Sequence, residues 1–298
     1  GDSSVNPGTF VYNNVIHCWS RSNEVGAATK AEGILSRMEE LYQNGVNQDA
    51  KPNTVTYNSV LDAWAKSIDE PESAKYALQI LNKMEEMSAK GNLDVQPDTV
   101  TYSTVINVLS KSCERGAAQK AEDILMHMEE SFQRGNSHVR PNHVTYSSVI
   151  DAWSKNASTK NDDAATHAEN ILKRMEDAYL SDDNPHAKPN IVTYNSIINV
   201  LSKSGLPEKA EKVLLRLEHM YENGDTDVKP DTVTYNSIIN AWSQSSRHDA
   251  AAQAERVMKR MEDLLEQGDE SVKPDLVTYT SVINAWSRSG KSESAQKA

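Results

Sequence analysis

The sequence predicts an all-α solenoid of helix-turn-helix repeats, and three observations predict it. A phrase centred on a tyrosine recurs at Tyr12, Tyr57, Tyr102, Tyr146, Tyr194, Tyr235 and Tyr279, at spacings of 45, 45, 44, 48, 41 and 44 residues. Each unit holds two amphipathic segments with helical periodicity and none with strand alternation. The repetition covers the 298 residues without a shift in composition, so the chain reads as one array rather than two globular domains.

The repeats run 9–53, 54–98, 99–142, 143–190, 191–231, 232–275 and 276–298, the last one incomplete. The sixth shows the pattern. Its first segment, TVTYNSIINAWSQS, places Val233, Ile238, Ile239 and Trp242 on an apolar face and Asn236 and Asn240 on a polar one. A break at Ser245–Arg247 follows. The second segment carries Ala254, Val257, Met258, Met261 and Leu265 at three- and four-residue intervals, with charged residues between them. Gly268 and then Pro274 close the unit, in the order expected past a helix C-terminus. A hairpin of two helices cannot enclose a core alone, so the tyrosine, tryptophan, isoleucine and leucine positions are expected between consecutive hairpins. Trp19, Trp64, Trp153, Trp242 and Trp286 share one site, which Leu109 and Leu201 fill in the other two repeats. That apolar interchange indicates packing, not a cofactor box.

The formal net charge is −12, which argues against a polyanionic partner unless charge is segregated along the chain. It is segregated. The first fourteen residues of the seven repeats hold six basic and two acidic residues, a net of +4, which leaves −16 for second helices and loops. Cys18 and Cys113 are the only cysteines and form no Cys-x-x-Cys pair, so neither a disulfide framework nor a zinc site is expected. No metal, cofactor or small-molecule substrate is expected either. No segment approaches the roughly 18 apolar residues of a membrane span. The incomplete seventh repeat is expected to leave an apolar face open to self-association, and any targeting segment or further domain is expected outside these residues.

His167-Ala168-Glu169 has the His-x-Glu spacing of a zinc deaminase, but the Pro-Cys-x-x-Cys that completes such a site is missing. The same slot reads Lys30-Ala31-Glu32, Lys120-Ala121-Glu122, Lys209-Ala210-Glu211 and Gln253-Ala254-Glu255, so His167 belongs to a structural phrase. Paired carboxylates such as Glu39-Glu40 and Glu129-Glu130 are expected to face water. No enzyme is expected.

Val-Thr-Tyr-Asn-Ser-x-Ile, Ala-Trp-Ser-Lys-Ser, Ala-Glu-x-x-Leu-x-x-Met-Glu and Lys-Pro-Asp recur in that order. With these phrases the chain resembles the pentatricopeptide repeat family over almost its whole length. It departs from the usual unit of about 35 residues by its longer repeats, and the excess is expected in a longer second helix and a larger connecting loop. The resemblance implies a right-handed superhelix whose first helices line a groove for single-stranded RNA, one base per repeat, and a setting in a mitochondrion or plastid. The rival is a protein-binding scaffold of the tetratricopeptide type, with the acidic loops as its contact surface.

Three sets of positions vary in the manner such a groove needs. The residue after each tyrosine is Asn13, Asn58, Ser103, Ser147, Asn195, Asn236 or Thr280, and the residue closing each unit is Asn53, Asp98, Asn142, Asn190, Asp231 or Asp275. From spacing alone the closing residues read as helix caps and the residues after the tyrosines as solvated helical positions. The resemblance implies that the two read a base together: Asn with Asp for U, Asn with Asn for a pyrimidine, Ser or Thr with Asn for A, Ser or Thr with Asp for G. Carried over, the array implies 5′-YUAAUUR-3′. Phe10, Val55, Val100, Val144, Val192, Val233 and Val277 lie three residues before the readers, where they either sandwich bases or join the core. Arg21, Lys66, Lys111, Lys155, Lys203 and Arg288 share one later position, with Gln244 in the sixth repeat, and either track phosphates or cap the first helices.

Overall fold

The computed structural model describes residues 6–22, 24–67, 72–112, 114–157 and 163–289. Cys113 and the end of the seventh repeat, 290–298, lie outside them. Within these bounds the chain is all-α, with thirteen α-helices and no strand among the described residues. The first helices are α1 Thr9–Ser20, α3 Thr54–Lys66, α5 Thr99–Lys111, α7 His143–Asn156, α9 Ile191–Lys203, α11 Thr232–Gln244 and α13 Leu276–Ser289. The second helices are α2 Ala27–Gln43, α4 Ser73–Ala89, α6 Ala117–Gln133, α8 Asp163–Leu180, α10 Pro207–Glu222 and α12 Ala250–Glu266. The chain divides into two compact units, Gly1–Ala152 and Trp153–Ala298.

In the first unit α1, α3 and α5 pack side by side, and in the second α9, α11 and α13 do the same. Four second helices pack on their own first helix and on the next one: α2 on α1 and α3, α4 on α3 and α5, α10 on α9 and α11, α12 on α11 and α13. The expected core fills these seams. Tyr57, Tyr102, Tyr146, Tyr194 and Tyr235 are at most 4% exposed, and Trp64, Trp242, Trp286, Leu109 and Leu201 are buried with them.

Each buried phenol has a fixed partner. Tyr57, Tyr102, Tyr146, Tyr194 and Tyr235 donate to Glu39, Glu85, Glu129, Glu176 and Glu218 at 2.5, 2.9, 2.9, 3.0 and 2.6 Å. A buried hydroxyl without an acceptor is costly, and a charged acceptor makes the stronger bond. Burial and the neighbouring carboxylate together push the Tyr57 and Tyr235 hydroxyls well above the usual tyrosine range. The sequence reading of the glutamate pairs is therefore half corrected. Glu40 and Glu130 are exposed, but Glu39 and Glu129 turn inward to the tyrosine of the next repeat. Basic residues on the following second helix cover several of these carboxylates, as in Lys83 to Glu39 at 2.6 Å, Arg216 to Glu176 at 3.0 Å and Arg260 to Glu218 at 2.5 Å.

The excess length sits where expected, in second helices of 16 to 18 residues and a linker that holds one 3-10 turn. Asn47, Asn92, Asn136, Asn184, Asp225 and Asp269 each open that turn by accepting the backbone N–H two residues on. The linkers of successive repeats are joined by ion pairs, Lys51 with Asp94, Lys188 with Asp225 and Asp227, and Lys229 with Asp269.

Candidate nucleic-acid interface

The closing residues are helix caps. Asn53, Asp98, Asn190 and Asp231 open α3, α5, α9 and α11 with complete capping boxes, in which the side-chain oxygen takes the N–H of a threonine three residues on and the threonine hydroxyl takes the cap N–H. Asn142 and Asp275 make the same exchange with Thr145 and Thr278. Capping and pairing with a reader coexist, because one oxygen serves both. Asn58 Nδ2 donates to Asp98 Oδ1 at 3.1 Å, Asn236 Nδ2 to Asp275 Oδ1 at 3.0 Å, and Asn13 Nδ2 to Asn53 Oδ1 at 3.5 Å. Ser103 reaches Asn142 through Thr145, with Ser103 Oγ and Thr145 Oγ1 at 2.7 Å, and Asn195 reaches Asp231 through Thr234 at 2.8 Å. Ser147 is buried, Asn190 caps α9, and Thr280 is exposed on α13.

The hydrogen bonds that Asp98, Asp231 and Asp275 take from their threonine and asparagine partners fall on Oδ1, and the second carboxylate oxygen, Oδ2, is likewise an acceptor. Where the cap is Asn, the second atom is Nδ2, a donor. The Thr278 backbone N–H holds the Asp275 carboxyl below its ordinary range against the opposing effect of burial, with help from Asn236 and the Thr278 hydroxyl.

Phe10, Val55, Val100, Val144, Val192, Val233 and Val277 are 49–77% exposed, which removes the core alternative and corrects the placement of Val233 on the buried face. Each is a single apolar shelf beside its reader. The basic positions are more committed than the groove reading needs. Lys111 Nζ donates to the Ala65 carbonyl at 3.0 Å, Lys203 to the Ser154 carbonyl at 3.2 Å and Arg288 to the Ser243 carbonyl at 3.3 Å, each on the last turn of the preceding first helix. Lys66 pairs with Asp62 at 2.5 Å. Arg21 and Lys155 are exposed. The capping alternative is thus realised at three positions.

The threonines Thr56, Thr101, Thr145, Thr193, Thr234 and Thr278 were not among the residues singled out from sequence. All are fully buried, and their signal was in the repeating Val-Thr-Tyr phrase. His167 lies with its ring stacked on Trp153 at 4.0 Å and 9°, and Glu169 pairs with Lys209 at 2.9 Å, so the His-x-Glu phrase is packing. Among the described residues no three His, Cys, Asp or Glu side chains are grouped to hold a metal, and no helix is long and apolar enough to cross a membrane.

Repeated helical hairpins whose first helices carry the same capped, paired polar residues define a helical-repeat protein. Profiles described as PPR repeat match residues 186–216, 233–263 and 277–298, and one described as pentatricopeptide repeat domain matches 40–108 and 86–156. The chain belongs to the pentatricopeptide repeat family. The crystal structure of the pentatricopeptide repeat protein PPR10 from maize is similar, with a TM-score of 0.57 and 22% identity over 99% of this chain and 38% of that one. The crystal structure of PPR10 in complex with an 18-nt psaJ RNA element matches with a TM-score of 0.47 and 22% identity over 99% of this chain and 40% of that one. The first likeness shows the fold. The chain spans about two fifths of the length of the chains it matches. No curated protein matches the sequence.

Proposed function

We propose that the chain binds single-stranded RNA, one base per repeat, with a preference for 5′-YUAAUUR-3′. The observation that carries this reading is the paired reader and cap, Asn58 with Asp98 at 3.1 Å and Asn236 with Asp275 at 3.0 Å, beside an exposed apolar shelf. A carboxylate oxygen accepts from the N–H that U and G carry on their pairing edge. An Asn amide donates to the ring nitrogen that C and A present there, so the chemistry of the caps agrees with the base classes the family implies. A valine shelf supplies less than the roughly 1–3 kcal/mol per base of an aromatic platform. The lysines and arginines along the first helices supply a salt-dependent term. A bound stretch would be shielded, held unstructured or presented to another factor, in an organelle as the resemblance implies.

The test is equilibrium binding of labelled 5′-CUAAUUA-3′ RNA against the same length with UAAUU replaced by GCCGG, at two salt concentrations. Tight binding to the first alone, weakening with salt, is expected. Binding to neither overturns the reading in favour of the protein scaffold, and equal binding to both removes base readout.

A further inference from the structure

We propose that the buried threonine preceding the tyrosine of each repeat after the first is a positioning residue for the base reader of the repeat before it. The inference rests on the base reading above. Thr56, Thr101, Thr234 and Thr278 place Oγ1 at 2.7, 2.7, 2.8 and 2.6 Å from Oδ1 of Asn13, Asn58, Asn195 and Asn236. Each partner lies one repeat back, 39 to 43 residues earlier in the chain.

A threonine hydroxyl has one proton and two lone pairs. One lone pair takes the cap N–H, at 3.1 Å from Asn53, 3.1 Å from Asp98, 3.2 Å from Asp231 and 3.0 Å from Asp275. The proton faces two oxygens. The cap Oδ1 lies at 3.0, 3.0, 2.9 and 3.1 Å, and the reader oxygen is nearer in all four repeats. A donor fixed in this way decides which end of the reader amide turns inward. The oxygen goes to the threonine, and the Nδ2 group goes to the cap oxygen in the Asn58 and Asn236 pairs. The second N–H of that amide is then the atom a base meets.

An amide turned over would present its oxygen instead and exchange a donor for an acceptor at the reading edge. Capping of the helix requires none of this. The cap and the threonine, three residues apart, satisfy each other at one helix end, so the bond to the reader some forty residues earlier is additional. Ser103 occupies the same place as an Asn reader and meets Thr145 at 2.7 Å, so a hydroxyl reader is oriented by the same group.

The proposal makes a prediction that a capping role alone does not: a substitution in the third repeat changes selectivity at the base read by the second. Thr101→Val removes the hydroxyl at nearly constant volume, and Thr101→Ser keeps it. Binding is measured to RNAs with each base at the second position, read by Asn58 and Asp98, and at the third, read by Ser103 and Asn142. Chemical denaturation reports the folded fraction. Thr101→Val is expected to lose about tenfold of the preference for U at the second base while the third-base profile stays put, and Thr101→Ser to retain both. Thr234→Val, read at the fifth base, is the second variant should the first fold poorly. An unchanged second-base profile in folded Thr101→Val overturns the proposal, as does a change confined to the third base. Asn58→Ser separates the two claims. If it shifts the second-base preference while Thr101→Val does not, base reading stands and the threonine's role falls. If neither shifts it, both fall.

Discussion

Asp98→Asn changes a single heavy atom. The cap oxygen of Asp98 takes the Thr101 N–H at 2.9 Å, the Thr101 hydroxyl at 3.0 Å and the Asn58 amide at 3.1 Å, and an asparagine offers that same oxygen. Asn53 already caps α3 this way, with φ −133° and ψ 177° against −122° and 179° for Asp98. Asn and Asp are near-equal caps, and the helix dipole favours the carboxylate by about 0.3–1 kcal/mol, so stability should move by no more than about 1 kcal/mol. What changes is the second atom, from an accepting oxygen to a donating nitrogen. A hydrogen bond to a charged group is worth about 1.5–3 kcal/mol, and a half-exposed cap takes the lower end, roughly tenfold in affinity. Preference for U over C at the second base should therefore fall about tenfold, toward equal binding of the two pyrimidines. Fluorescence anisotropy with RNAs that differ only at that base measures it, beside a thermal melt. Removing a negative charge will also tighten binding to all RNAs, but it cancels from the ratio. A U-to-C ratio within about twofold of the parent, in a protein that melts normally, refutes the reasoning, since the expected tenfold effect is about 1.4 kcal/mol.

Three further outcomes are expected. Asn195→Ser should move preference at the fifth base from U toward G, because a hydroxyl replaces the amide opposite Asp231; a base-by-base binding profile shows it. Val233→Ser should weaken binding at every sequence alike and leave stability nearly unchanged, since the side chain is 59% exposed; affinities for matched and mismatched RNA should fall in parallel. Tyr235→Phe should cost about 1.5–3 kcal/mol in urea unfolding at neutral pH, because it strips a donor from a buried carboxylate. Burial holds the Glu218 carboxyl above its ordinary value of 4.5, while Tyr235 and Arg260 pull it down. Ionised Glu218 is thus a cost at neutral pH that is relieved as pH falls through its raised pKa. The mutant's deficit should shrink in the same interval, and one that grows there contradicts the assignment.

The repeat period and the two helical periodicities made the all-α repeat architecture legible, because a solenoid's core is written in short-range spacing. Val233 shows where periodicity alone misleads. At about 100° per residue it lies some 140° round the helix from Ile238, outside the buried stripe, yet its apolar side chain invites inclusion in the core. The partnership of Glu39 with Tyr57 was not legible, because it joins a second helix to the next first helix and depends on how far apart the two axes stand. The closing residues were legible as caps or as readers. Only the bonding of Asp98 to both Thr101 and Asn58 shows that one side chain caps the helix and also pairs with the residue proposed to read a base. The threonines were hidden by their regularity: a residue that departs only once, at Val11, draws no attention when function is sought in what varies.

From the residue that opens each 3-10 turn to the cap of the next first helix, as from Asn47 to Asn53 and from Asp269 to Asp275, the count is always six, whatever the length of the repeat. Differences in length are taken up earlier, in second helices of 16 to 18 residues and the turn before them, which is three residues, Ser204 to Leu206, between α9 and α10. The distance along the chain between a linker and its reader therefore behaves as a fixed gauge, while the turn behind it acts as slack. Insertions for tags, labels or grafted peptides belong in that turn, where a repeat can grow without changing the step between one reading position and the next.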